Sequence, residues 1–174
     1  MSTCPYCEHE NIDGEDECEA CHQPLTFLSK PQLATPIEHS IVKTRIGVLF
    51  PQPPLSVTSS TPVGEVLQLL VDRRVGCVVI IDDGRLVGVF TERDALFRLN
   101  TEYAELLPRP VSEFMTPNPE VIRVTDTVAI ALHQMDLGGY RHLPVIDDGE
   151  VTGVVSIRDI LRYLSDHILV ETVG

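Results

Sequence analysis

The sequence predicts a mixed α/β (α+β) protein made of two copies of one β-α-β-β-α unit, preceded by a small module held together by a metal ion. Three observations predict this. An eight-residue stretch occurs twice, VGVFTERD at residues 87–94 and TGVVSIRD at residues 152–159, at an offset of 65 residues. The same offset aligns Val63 with Val128, Leu67 with Leu132, Leu96 with Leu161, Leu99 with Leu164, and Ile81-Asp82-Asp83-Gly84 with Ile146-Asp147-Asp148-Gly149. Finally, four of the five cysteines, Cys4, Cys7, Cys18 and Cys21, form two C-x-x-C pairs in the first 21 residues. A single unit of about 60 residues would leave one sheet face uncovered, so the two copies are expected to pack sheet to sheet.

Within each copy the order of elements follows from patterning. A short extended segment after prolines (55–57; 121–124) leads to a helix (62–73; 127–137). A β-rich apolar run (77–81; 142–146) follows, then an Asp-Asp-Gly turn, which is a strong hairpin signal. The second hairpin strand (86–90; 151–155) ends at Thr91 or Ser156, and the last helix runs to about Leu99 or Ile168. A hydroxyl at the N-cap with Asp94 or Asp159 three positions later is a capping box, which satisfies free backbone donors of the first turn. Ahead of the repeats, Thr35 as N-cap, Pro36 at the first helical position and Glu38 at the third start a leading helix. Ile37, Ile41 and Ile46 are placed toward the core, and Gly47, Pro51, Pro53 and Pro54 end the helix. The resulting division is 1–25 for the metal module, 26–40 for a linker and the start of the leading helix, 41–105 for the first repeat and 106–174 for the second.

Composition narrows the function classes. The chain is 43% hydrophobic, yet it has no apolar run of eighteen residues and no basic flank with an apolar stretch at its start, so a soluble cytoplasmic protein without a membrane segment is expected. The net charge of −13 disfavours nucleic acid, whose binding needs lysines and arginines to displace phosphate counterions.

In residues 1–25 two C-x-x-C knuckles supply the four soft ligands of a tetrahedral zinc. Ile12, Ala20 and Leu25 are nearly the only aliphatic residues there, so metal would supply the folding energy. A redox dithiol would need a βαβ context that is absent. The segment resembles the short zinc ribbons at the ends of many bacterial proteins, with Asn11, Gly14, Pro24 and Leu25 in the matching places. It departs from them at Glu8 and His22, where that family has a glycine after each knuckle. These residues put strain on the turns, and they leave His9 and His22 as alternative ligands to a set that four cysteines already complete. A site filled by four cysteines has no open coordination position and is structural. Its expected use is contact with a protein partner, a second copy of this chain included, since residues 1–25 carry seven acids and no lysine or arginine.

The Phe114-Met115-Thr116-Pro117-Asn118-Pro119 segment, the Arg141-His142-Leu143-Pro144-Val145 strand and the two G-h-h-[ST]-x-x-D ends resemble the tandem CBS domain, the paired regulatory module named after cystathionine β-synthase, over about residues 40–170. The resemblance implies a pseudo-symmetric pair with two clefts for AMP, ADP, ATP or S-adenosylmethionine, and association into a homodimer. It implies that Asp94 and Asp159 accept hydrogen bonds from ribose hydroxyls, with Thr91 and Ser156 near the sugar and phosphate. Arg141 and His142 would face phosphate in the second repeat, where the first has Gly76 and Cys77. Arg123 would add to that charge, and Arg93 and Arg158 would either do so or point outward. The same hydroxyls and carboxylates also cap helices, which requires no ligand. No catalytic motif is present, and Cys77, amid Val78, Val79, Ile80 and Ile81, is expected to be a buried thiol rather than a nucleophile. Two functions follow: a sensor that binds an adenosyl ligand and signals to a partner protein, or a ligand-free dimeric scaffold whose zinc ribbon is the working part.

Overall fold

The computed structural model describes residues 2–4, 6–12, 14–25, 36–49, 51–99 and 103–171. In chain order these form β1 (Ser2–Thr3), β2 (Glu10–Asn11), α1 (Pro36–Lys43), a 3-10 turn (Ile46–Leu49), β3 (Ser56–Val57), α2 (Val63–Arg73), β4 (Cys77–Asp82), β5 (Arg85–Thr91) and α3 (Glu92–Arg98). Then follow α4 (Tyr103–Leu106), a second 3-10 turn (Val111–Glu113), β6 (Thr116–Pro117), β7 (Ile122–Arg123), α5 (Val128–Gly138), β8 (His142–Asp147), β9 (Glu150–Ser156) and α6 (Ile157–Glu171). The β-α-β-β-α order is therefore present twice, with one additional short helix, α4, between the copies. The linker 26–34 and the N-cap Thr35 lie outside the described residues.

The elements group into two compact units that cut across the sequence repeat. One contains the amino-terminal module, α1, α5 and α6. The other contains β3 to β6 with α2, α3 and α4, together with the β8–β9 hairpin.

In the second of these units β3 runs parallel to β4, and β4, β5 and β6 are antiparallel neighbours. The apolar run of β4 faces two ways, because successive strand residues point to opposite sides of a sheet. Val78 and Ile80 join Phe90, Val63, Val66 and Leu70 in the core beneath α2. Cys77 and Val79 join Val89 on the other face, against Val151 and Val154 of β9. That contact realises the expected sheet-to-sheet packing, and it explains why the strand reads as continuous rather than alternating. Both hairpins turn on left-handed residues, Asp83 (φ 49°) with Gly84 (φ 75°), and Asp148 (φ 47°) with Gly149 (φ 86°), the pattern of a type I′ turn.

The glycine in each repeated motif has a steric cause. Gly88 and Val89 pair with Pro117 and Thr116 of β6, while Val154 pairs with Gln52. At the 65-residue offset these are corresponding contacts: the segment preceding each repeat lies across the hairpin of the other. A Cβ on Gly153 would sit 2.6 Å from Pro51 Cβ and 3.2 Å from Gln52 O, and one on Gly88 would meet Met115 Sδ and lie 3.1 Å from Thr116 O. Gly153→Ala and Gly88→Ala should each destabilise the fold by about 1–3 kcal/mol, the usual range for overpacking. Thermal denaturation is the measurement, and a wild-type melting temperature in both variants would refute this account of the glycines.

A second set of corresponding bonds fixes the starts of α2 and α5. In the first unit, Ile46 N–H donates to Asp126 O (2.8 Å), Gly47 N–H to Val124 O (3.0 Å) and Val128 N–H to Thr44 O (2.9 Å). In the other, Val111 N–H donates to Thr61 O (2.8 Å), Ser112 N–H to Ser59 O (3.1 Å) and Val63 N–H to Arg109 O (2.8 Å). These bonds also correct the leading helix. It stops at Lys43 rather than continuing to Ile46, because the backbone of Thr44, Ile46 and Gly47 is drawn into pairing with residues 124–128. Ile46 is fully buried all the same, from the 3-10 turn. The hydroxyl of Tyr163 on α6 holds α1 through Ser40 Oγ (2.9 Å) and Thr44 Oγ1 (2.8 Å).

Candidate functional site

The amino-terminal module contains two equivalent knuckles. Cys4 N–H donates to His9 O and Cys18 N–H to Gln23 O, both at 2.8 Å; Glu8 N–H closes on Cys4 O (3.0 Å) and His22 N–H on Cys18 O (2.8 Å). Glu8 (φ 64°) and His22 (φ 55°) occupy the left-handed region that glycine fills more easily, which is the strain their side chains imply. Buried Asn11 joins the halves, donating to His9 O and accepting from Glu19 N–H, each at 3.0 Å. The four Sγ atoms of Cys4, Cys7, Cys18 and Cys21 lie within 4.8 Å of one another, with Cys4–Cys21 and Cys7–Cys18 both at 3.6 Å. A zinc–sulfur bond of about 2.3 Å gives tetrahedron edges of about 3.8 Å, so the set can hold a metal ion of that kind. His9 and His22 are both exposed.

Thiol acidity in this cluster is uneven. Burial pushes Cys7 up to about 11 and Cys21 higher still. Burial acts on Cys18 as well, but the N–H groups of Cys21 and Ala20 and the neighbouring thiols outweigh it and hold that group down at about 6. A cation bound by the four sulfurs would allow the remaining thiols to ionise together, and its binding would displace their protons.

Both predicted capping boxes form, with the same geometry. Thr91 donates to Asp94 Oδ2 from its N–H (2.9 Å) and hydroxyl (2.6 Å), and Asp94 N–H donates to Thr91 Oγ1 at 3.3 Å. Ser156 and Asp159 repeat all three contacts at 2.9, 2.6 and 3.3 Å. The second carboxylate oxygens differ. Asp94 Oδ1 accepts from Thr116 Oγ1 (3.2 Å) and lies 3.2 Å from Arg98 Nε. Among the described residues Asp159 Oδ1 has only the ion pair with Arg162 Nη1, at 3.6 Å and beyond hydrogen-bond range, and its side chain is 21% exposed against 11% for Asp94. Sequence reasoning missed Arg98 and Thr116. The signal for Arg98 was its place four residues after Asp94, the spacing of an acid–base pair on a helix.

The other predicted groups are distributed more widely. Arg141 is exposed, and its carbonyl accepts from Ile157 N–H at 3.0 Å, the counterpart of Glu92 N–H to Gly76 O at 3.2 Å. His142 stands over the first repeat: a Cβ on Gly76 would lie 2.7 Å from His142 Nε2 and 3.5 Å from Glu92 Oε2. Gly76 thus makes room for the imidazole. Arg93 lies over the Phe97 ring at 5.7 Å, along its own helix. Arg123 and Arg158 are exposed.

Cys77 is buried, and burial, followed by the charge of Asp94, pushes its thiol up to about 12. A pKa above the unfolded value of 9.0 means that the neutral thiol is favoured by folding. Its contribution is complete below that value and is lost as pH rises toward the folded one. Stability should therefore fall with pH above about 9, and Cys77→Ala should flatten that slope in urea unfolding series.

No helix among the described residues is long and apolar enough to cross a membrane. The family model described as CBS domain matches residues 48–101 and again residues 111–166. The chain belongs to the CBS-domain family. It is 37% identical over 116 residues to the Arabidopsis thaliana CBS domain-containing protein CBSCBSPB5, an alignment covering 66% of this chain and 20% of that one. The chain thus spans about a fifth of that relative's length. Among solved structures, the CBS domain protein PAE2072 from Pyrobaculum aerophilum, complexed with AMP, is 31% identical with a TM-score of 0.60, covering 71% of this chain and 99% of that one. The CBS domain pair of protein MJ0100, in complex with 5-methylthioadenosine and S-adenosyl-L-methionine, is 25% identical with a TM-score of 0.64, covering 71% and 98%.

Proposed function

We propose that this CBS pair is a regulatory module, not an enzyme, which binds one of AMP, ADP, ATP or S-adenosylmethionine at the second repeat. It passes the bound state to a partner protein through rearrangement of a homodimer, and its amino-terminal ribbon carries a structural zinc. The observation that carries the ligand reading is Asp159 Oδ1. This oxygen belongs to a carboxylate oriented by its cap on a partly exposed side chain, and it has no hydrogen bond among the described residues. An ionised carboxylate only accepts, and a ribose diol offers two donors. The complexes of PAE2072 with AMP and of MJ0100 with 5-methylthioadenosine and S-adenosyl-L-methionine support the same ligand class. Exposed Arg141 is the cation in line for a phosphate or a carboxylate. Ligand shifts the dimer only by as much as its affinities for the two arrangements differ.

Calorimetric titration of the full chain with AMP, ADP, ATP and S-adenosylmethionine tests this. Saturable heat from at least one is expected, and none at millimolar concentration overturns it. The second reading is a ligand-free scaffold working through the ribbon, and it is favoured by the fact that both capping boxes are complete without ligand. On that reading no nucleotide raises the melting temperature, whereas a chelator lowers it or releases the partner.

A further inference from the structure

The chain treats its two equivalent carboxylates differently, and Arg98 is the cause. Asp94 accepts the Thr91 N–H and hydroxyl on Oδ2 and the Thr116 hydroxyl on Oδ1, and the same Oδ1 forms an ion pair with Arg98 Nε at 3.2 Å. Three hydrogen bonds and an ion pair occupy both oxygens of the carboxylate. The same guanidinium reaches further, Nη1 donating to the carbonyls of Phe114 (3.0 Å) and Met115, and Nη2 to Thr116 Oγ1 (3.1 Å). Thr116 opens β6, which is paired to β5 at Val89 and Gly88. One arginine therefore fastens the last helix of the first repeat to the strand leading into the second. The corresponding residue of the second repeat is Tyr163, whose hydroxyl goes to Ser40 and Thr44, and Asp159 Oδ1 has no hydrogen bond among the described residues, with Arg162 Nη1 3.6 Å away.

We infer that Arg98 closes the first repeat to ligand, so that each chain takes a single adenosyl ligand, and that the Arg98–Asp94–Thr116 cluster is a structural joint. The ligand count rests on the function proposed above; the joint does not. To use Asp94, a ribose would have to displace a charged guanidinium and a hydroxyl from Oδ1. Its hydroxyls would replace one hydrogen bond and one ion pair, while the arginine and the two backbone carbonyls it holds would lose their partners. The first repeat also has Gly76 at the position where the second has Arg141, so the arginine in line for a phosphate has no counterpart there to offset that loss.

The test combines binding stoichiometry with melting, on the full chain. Separate titrations with AMP and S-adenosylmethionine, read by calorimetry and native mass spectrometry, should saturate at one ligand per chain. Asp159→Ala should weaken binding by at least about a hundredfold, equivalent to about 2.7 kcal/mol. Arg98→Ala should leave affinity within about threefold but lower the melting temperature by roughly 3–6 °C, the shift expected for about 1.5 kcal/mol in a chain of this size. Leu96→Ala, on the same helix and 78% exposed, should melt with the wild type. Two ligands per chain, or binding that survives Asp159→Ala and disappears with Asp94→Ala, would overturn the closure of the first repeat while the functional reading survived. No ligand at all, together with a destabilised Arg98→Ala, would overturn the functional reading and the count but uphold the joint. Unchanged melting of Arg98→Ala would overturn the joint.

Discussion

Replacing Cys18 with serine, or removing bound metal with a chelator, should unfold residues 2–25 while the sheet core of β3 to β6 keeps its protection. The module cannot hold itself by apolar burial. The aliphatic side chain of Ile12 is 65% exposed, and among the described residues of the module the buried ones are Cys4, Cys18, Cys21, Asn11 and Gln23. Its strands are two residues each, joined by a single two-position ladder. Against this stand roughly twenty ordered residues, each costing about 1–2 kcal/mol of backbone entropy. Structural zinc, which contributes about 10–16 kcal/mol when bound at such a site, would be a term of sufficient size. Serine at position 18 removes a soft ligand that is 0% exposed, in a knuckle already strained at His22. Amide hydrogen exchange resolved by residue measures the result: residues 2–25 should lose protection on chelation, with that of Val78 to Ile80 and Val89 to Phe90 unchanged. Retained protection in the metal-free module would show that something other than zinc organises it.

The parts of this architecture visible in the sequence were those written in short-range chemistry. C-x-x-C spacing places two thiolates on one turn, Asp-Gly forces the hairpin, and a hydroxyl three residues before an aspartate fixes each capping box. The 65-residue repeat then supplied the β-α-β-β-α order. What stayed hidden depends on contacts between distant segments. The end of α1 at Lys43 is set by hydrogen bonds from residues 44–47 to residues 124–128, which helix propensity does not see. His142 looked like a companion of Asp159 because the two lie in the same repeat. In the fold its ring lies over Gly76 of the other repeat, and a glycine there signals room without saying which side chain fills it. Arg98 was invisible as a closing group because its partners Phe114, Met115 and Thr116 are contributed by a segment 16–18 residues later.

Asp159→Ala is the substitution with the largest expected effect on binding, because in the proposed site it removes an acceptor shared by two ribose hydroxyls. Hydrogen bonds to a charged group contribute about 1.5–3 kcal/mol each, so the pair is worth about 3–6 kcal/mol, or about a hundredfold to ten-thousandfold in affinity. The same change breaks the cap of α6, since Asp159 Oδ2 accepts from the Ser156 N–H and hydroxyl. Stability alone should therefore fall by about 1 kcal/mol. Ser156→Ala separates the two effects. It removes the hydroxyl that accepts from Asp159 N–H at 3.3 Å and donates to Oδ2, but it leaves the carboxylate and its open Oδ1 in place. It should lower the melting temperature about as much as Asp159→Ala while affinity for AMP or S-adenosylmethionine changes by only a few fold. Equal affinity losses in the two variants would mean that the cap, rather than the carboxylate oxygen, is what the ligand needs. Asp159→Ala binding as tightly as the wild type would remove Asp159 from the site altogether and leave it a helix cap like Asp94.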